Sequence, residues 1–228
     1  GLPFEVNDFI SKEGVKDYMM SICRYSPREY QIEGVYDALR HNRKLLISPT
    51  ASGKSLMIYS IVRYYVERKQ STLIVVPTTS LVEQMYKDFA DYGWDVGSYC
   101  HKIYAGKERE TDSQVIITTW QSIYKLPRKY FERFSVVIGD EAHQFKSKSL
   151  VSIMSKLADA KYRYGFTGTL SGSQTHKWVL EGLFGPSYKI IKTDELMKKG
   201  HVATLDINVL LLKHPPNRFE TFEDEVQY

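Results

Sequence analysis

A chain of 228 residues, 43% hydrophobic and 25% charged, holds enough apolar material for one α/β core and a small appendage. No apolar run approaches the roughly 18 to 20 residues of a membrane helix. Residues 1–10 lack the basic stretch and apolar block of a signal peptide, so a cytoplasmic protein with no membrane partner is expected. The formal charge of +4 is unevenly spread: residues 215–228 carry four acids and one base, leaving 30 Lys and Arg against 23 Asp and Glu, or +7, on residues 1–214. A basic body is compatible with a polyanionic partner.

Residues 4–20 read as a short extended piece and then a helix opened by Ser11, with Gly14 near its start. Residues 1–26 are too few for an independent domain and are expected to be an extension, the remnant of an upstream module. From Lys44 a strand-helix alternation begins. Lys44 to Ser48 and Thr72 to Val76 are short β-type runs. Between them Met57, Ile58, Ile61, Val62, Tyr65 and Val66 form an apolar stripe at helical spacing, with Arg63, Glu67, Arg68 and Lys69 outside it. A helix from Ser80 to Tyr92, strands at Val115 to Thr119 and Ser135 to Asp140, a helix from Ser149 to Ala158 and a strand at Tyr162 to Thr167 continue the pattern. Strands separated by helices predict an α/β fold with a mainly parallel sheet, right-handed crossovers and helices on both faces. Thr204 to Leu212 is a last β-type run before Pro215, Pro216 and the acidic stretch, so residues 204–228 are expected to lead as a strand and linker into a further domain.

Cys23 and Cys100 belong to no CxxC or Cys/His cluster, which indicates neither a zinc site nor a disulfide framework. The strongest chemical signal is Pro49-Thr50-Ala51-Ser52-Gly53-Lys54-Ser55, placed between an apolar strand and an amphipathic helix as a phosphate-binding loop requires. Backbone N–H groups from Thr50, Ala51, Ser52 and Gly53 would surround a phosphate, Lys54 would neutralise its outer oxygens, and the Ser55 hydroxyl would ligate Mg²⁺. The match to GxxxxGK[ST] is imperfect, because Ser48 stands where the first glycine would be and Ala51 at a position that is often glycine. Asp140-Glu141-Ala142-His143 follows the apolar run Val136 to Gly139, which puts Asp140 at the carboxyl end of a strand, beside the phosphate loop. Two adjacent acids there are commonly only a solvated turn. With a phosphate loop upstream they read as a metal carboxylate, Asp140, and a water-polarising base, Glu141.

With Arg28 and Gln31 in Pro27-Arg28-Glu29-Tyr30-Gln31, the segment Val76 to Gln84, Thr118-Thr119-Trp120-Gln121-Ser122 and Phe166-Thr167-Gly168-Thr169-Leu170, the chain resembles the first motor domain of superfamily 2 helicases of the DExH type, the group that includes phage recombination helicases. Gly185-Pro186 and Glu195 to Gly200 continue the similarity. Ser48, Ala51 and Gly139 depart from the family pattern without removing a charged or hydroxyl group. The resemblance implies a RecA-like P-loop domain over residues 27–203, ATP with Mg²⁺ as cofactors, and an ATP-dependent DNA helicase or translocase of the recombination or branched-DNA type.

The resemblance also implies residue roles. Lys54, Asp140, Glu141 and His143 would be catalytic, and Ser55 and Asp140 would hold the metal. Arg28 and Gln31 would lie at the adenine side, where Gln31 offers a donor and an acceptor to the N6/N7 edge; Tyr25 or Tyr30 is a candidate to stack on the base. Thr78, Thr79 and Ser80 with Trp120, Gln121 and Ser122 would hold a nucleic-acid backbone, although hydroxyls that follow a strand and open a helix also read as an ordinary N-cap. Thr167 and Thr169 would couple the two sites, with His143 as the natural partner. An arginine from a second RecA-like domain of the same parent chain would complete the hydrolytic site. A nucleotide-gated binding module without productive unwinding, the motor of a restriction enzyme and an RNA helicase stay open as alternatives, because backbone contacts carry little base information.

Overall fold

The computed structural model describes residues 10–104, 111–144, 147–168, 174–198 and 200. The extended piece before Ser11, Thr169 and the strand and linker expected over residues 204–228 lie outside the described residues. In chain order the elements are α1 (Lys12–Ile22), α2 (Glu29–Arg40), β1 (Arg43–Ile47), α3 (Lys54–Glu67), β2 (Thr72–Val76), α4 (Thr79–Asp91), α5 (Val96–Tyr99), β3 (Cys100–Ile103) and β4 (Val115–Thr119). They continue with α6 (Trp120–Ile123), α7 (Arg128–Phe131), β5 (Val136–Gly139), a 3-10 turn (Ala142–Gln144), α8 (Ser147–Lys156), β6 (Tyr162–Thr167), α9 (Gln174–Phe184), β7 (Ser187–Lys189) and α10 (Thr193–Lys198). Ser11 caps α1 by accepting from the Gly14 amide at 3.1 Å. The periodic segments land within two residues of their expected positions. The short β3 and β7 carry no periodic signal and emerge only in the sheet.

All strand pairs are parallel, in the order β3-β4-β2-β5-β6-β1-β7. The period of two along each strand sends alternate side chains to opposite faces. Leu46, Ile74, Val76, Val115, Ile117 and Ile138 join the core under α1 to α4, while Leu45, Leu73, Val75, Ile116 and Val137 join the core under α6 to α9. Burial on both faces explains why these strands read as continuous apolar runs rather than alternating ones. Val15 and Met19 of α1 enter the first core, so this helix is packed onto the domain it precedes.

The strand that leads into Asp140 and the strand that feeds the phosphate loop are separated by one strand, since β6 lies between β5 and β1. β6 can sit there because it carries Gly165, where an added Cβ would stand 2.7 Å from Leu45 Cδ1 and 2.9 Å from Phe184 Cδ2. Gly165→Ala is therefore expected to destabilise the fold by about 1–3 kcal/mol. Gly182→Ala, in the interior of α9 with nothing within 4 Å of the added atom, is expected to stabilise it by about 0.5–1 kcal/mol. Denaturant melts of both variants check the pair, and equal midpoints would refute this account of the close approach.

Candidate nucleotide-binding site

The phosphate loop leaves β1 at Ile47 and enters α3 at Lys54, so the first N–H groups of a 14-residue helix face the loop. Gly53 caps that helix at φ 77, and Ala51 also takes a left-handed backbone at φ 64. The latter is the position where the family pattern often has glycine; alanine there carries a strain of roughly 1–2 kcal/mol. The other departure has a structural use: Ser48 is buried and its hydroxyl donates to Ser52 Oγ at 2.5 Å, tying the base of the loop to its tip.

Around the loop stand the groups singled out in the sequence. Lys54 Nζ lies 2.6 Å from Glu141 Oε1, with both side chains largely covered. Glu141 has φ 50, and its other carboxylate oxygen is 3.4 Å from His143 Nδ1. The Asp140 amide continues the ladder by donating to Val75 O at 3.0 Å, and Asp140 Oδ1 accepts from the Glu141 amide at 2.9 Å. Burial pushes the Asp140 carboxyl up to about 6 against the opposing pull of the Lys54 charge. Thr50, Ala51, Gly53, Lys54, Ser55, Asp140 and Glu141 line one cavity of about 310 Å³.

β6 connects this cavity to its surroundings. The Ser48 amide donates to Thr167 O at 2.9 Å, and His143 Nδ1 lies 2.8 Å from Thr167 Oγ1. The strand that separates the loop from the acidic turn thus bonds to both, which places His143 against Thr167 as expected.

Arg28 and Gln31 are arranged differently from a free recognition pair. Gln31 is buried; its Oε1 accepts from the Arg28 amide at 2.8 Å and its Nε2 donates to Ser52 O at 3.0 Å. Arg28 Nη1 donates to the Tyr30 hydroxyl at 2.8 Å, which donates in turn to Ser52 O at 3.0 Å. Both ends of the Gln31 amide are thereby bonded to backbone, and Tyr30 is committed to the loop. Of the two tyrosines considered for stacking, Tyr25 is the exposed one, at 56%, with its ring edge-on to Tyr92.

The nucleic-acid candidates share one rim. β2 and β4 are paired with Val76 opposite Thr119, so Thr78-Thr79-Ser80 and Trp120-Gln121-Ser122 leave neighbouring strands at the same height. Gln121 Nε2 reaches Pro77 O at 3.4 Å, which joins the two segments. Thr78, Thr79, Ser80 and Gln121 are exposed. Thr78 Oγ1 also accepts from the Leu81 amide at 3.3 Å as the N-cap of α4. Trp120 is half-buried against Tyr124 at the edge of the second core.

Sequence reasoning missed one wall of the cavity. Leu81, Gln84, Met85 and Asp88 of α4 complete its lining, and Tyr92 OH lies 2.7 Å from Ser55 Oγ. Their helical spacing marks a face, but no pattern says what that face meets.

Comparison with known proteins agrees with this geometry. The model of the family described as type III restriction enzyme, res subunit, matches residues 24–172. The chain is 33% identical over 214 residues to the ATP-dependent DNA helicase uvsW of Enterobacteria phage T4, covering 90% of this chain and 43% of that protein. It is 31% identical over 184 residues to the DNA 3'-5' translocase XPB2 of Sulfurisphaera tokodaii, covering 80% and 39% respectively. A crystal structure of the bacteriophage T4 UvsW helicase superposes with a TM-score of 0.74 at 31% identity, over 81% of this chain and 69% of that one. The chain thus spans about two fifths of the length of the curated relatives it matches. The matched segment contains the phosphate loop, the acidic turn and the rim in a RecA-like parallel sheet, and on that ground the chain belongs to the type III restriction enzyme res-subunit family.

Proposed function

We propose that this chain is the ATP-binding half of an ATP-driven DNA translocase or helicase of the recombination or branched-DNA type. The observation that carries the reading is the single cleft in which Lys54, Ser55, Asp140 and Glu141 converge on the N-terminus of α3. In it, loop amides and Lys54 bind the phosphates, Glu141 orients and deprotonates the attacking water, and His143 reports the state of the acidic turn to β6 through Thr167. Thr169 would extend that link. Arg28 and Gln31 hold the loop from the adenine side, and Gln31 reaches a base edge by exchanging its bond to Ser52.

A magnesium ion fits the donor set, since Ser55 and Asp140, which line one cavity, offer hard oxygen ligands. Among the described residues there is no cluster of three or more His, Cys, Asp or Glu side chains able to hold a metal, so the ion would draw most of its ligands from phosphate and water, as Mg²⁺ commonly does. When bound it neutralises charge developing on the phosphate oxygens. A second RecA-like domain would supply the remaining positive charge, in the manner of an arginine finger.

DNA is the partner favoured by the relatives, one a DNA helicase and the other a DNA translocase. The rim offers hydroxyls and amides suited to phosphates and supplies half a groove. Weak binding of single-stranded DNA is expected, without sequence preference and with affinity that falls steeply as salt rises. Thr79→Asp, which places a negative charge at the rim, is expected to weaken it several-fold. Fluorescence anisotropy at several salt concentrations tests this, and an unchanged dissociation constant would place the nucleic-acid path elsewhere.

A further inference from the structure

Helix α4 joins two features of the domain. Its first turn carries the exposed hydroxyls of the rim, and its later turns form a wall of the nucleotide cavity. At that wall the Tyr92 hydroxyl lies 2.7 Å from Ser55 Oγ, and the half-buried Asp88, one turn earlier, lines the same cavity as Ser55. A serine hydroxyl has one proton and two lone pairs. The bond to Tyr92 uses one of these, whichever of the two hydroxyls donates. That bond orients the hydroxyl and leaves at least one lone pair of Ser55 for a further ligand.

Tyr92 is itself held firmly. Its ring packs against Tyr59 at 5.2 Å and Tyr25 at 6.1 Å. Its amide donates to Asp88 O at 2.9 Å, and its carbonyl accepts from the Arg24 amide at 3.2 Å. No role is assigned to either residue by the motifs of the sequence.

We propose that Asp88 and Tyr92 are positioning residues for the divalent cation of the nucleotide site, aiming Ser55 and adding a carboxylate just outside the cation's own ligands. The proposal rests on the nucleotide-site reading above. Partners of this outer kind commonly change metal affinity 10- to 100-fold when removed. Because Asp88 sits on α4 and Tyr92 caps its C-terminus, the cation affinity of the site is set by the helix that begins at the rim.

The test titrates Mg²⁺ into the 228-residue chain with a fluorescent ADP analogue, after measuring the affinity of the analogue in EDTA. Asp88→Asn is expected to raise the half-saturating Mg²⁺ concentration about tenfold, and Tyr92→Phe several-fold, with the EDTA affinity unchanged in both. Phenylalanine keeps the ring packing, so Tyr92→Phe isolates the hydroxyl. An unchanged Mg²⁺ midpoint in Asp88→Asn overturns the proposal. So does a lower midpoint in Tyr92→Phe, which would show the hydroxyl competing with the cation, or an equal loss of affinity with and without Mg²⁺, which would show a general structural role. No binding of the analogue by the unsubstituted chain, with or without Mg²⁺, would instead sink the nucleotide-site reading and this proposal with it.

Discussion

Glu141→Gln, in a protein that carries both motor domains, is expected to lower steady-state ATP hydrolysis about 10²- to 10⁴-fold, the range of a lost general base. Glutamine keeps the length and shape of the side chain but cannot accept the proton of the attacking water. The structure adds an expectation about binding. Glu141 Oε1 lies 2.6 Å from Lys54 Nζ, so the carboxylate competes with a phosphate for the same ammonium group. Removing its charge leaves Lys54 available and takes a negative group away from the phosphates. Nucleotide affinity is therefore expected to be unchanged or a few-fold tighter while turnover collapses. Parallel measurements of hydrolysis and of calorimetric binding check the split. Retained hydrolysis would assign the water to another group, and a large loss of affinity would show that the Lys54 pair supports the loop rather than competing with its ligand.

Lys54→Ala is expected to weaken nucleotide binding by this chain on the order of 100-fold, the effect of losing a charge-assisted bond to phosphate. The loss has two sources. The ammonium group is removed, and Glu141 is left without its partner close to where the phosphates bind. Two unneutralised anions then face each other in a cleft that also contains Asp140. Adding Glu141→Gln to Lys54→Ala should restore part of the affinity, because the second change removes one of those anions. Titration calorimetry of the parent, the two single variants and the double variant measures the coupling. Equal affinities of parent and Lys54→Ala would remove the phosphate-loop assignment.

The local grammar of the chain was legible without a structure. The apolar runs at Thr72–Val76, Val115–Thr119 and Tyr162–Thr167 became strands at those residues, because both-face burial leaves few other readings of such runs. The loop at 49–55 was placed by its position between strand and helix, and Ser11 announced α1 by its capping chemistry. These signals are local: each depends on residues within a few positions of one another, so the sequence carries them in full.

What the sequence left open depends on which elements meet. Nothing in the run Tyr162 to Thr167 says that it lies between the strands of the phosphate loop and the acidic turn, since strand order is decided by how the whole sheet packs. That order lets Thr167 bond to both Ser48 and His143, a link visible only in three dimensions. Tyr25 and Tyr30 were equivalent candidates by type. Packing distinguished them, burying Tyr30 with its hydroxyl on Ser52 O and leaving Tyr25 at the surface. Asp88 and Tyr92 looked like ordinary positions of an amphipathic helix until α4 was laid against the loop. The sequence by itself determined the α/β class, the phosphate loop and the acidic turn, because strand periodicity and loop chemistry act over short range. Only the tertiary structure decided that β6 bridges them and that α4 reaches Ser55, because those contacts join residues 24 to 119 positions apart in side chain or backbone, and no local pattern records such a distance.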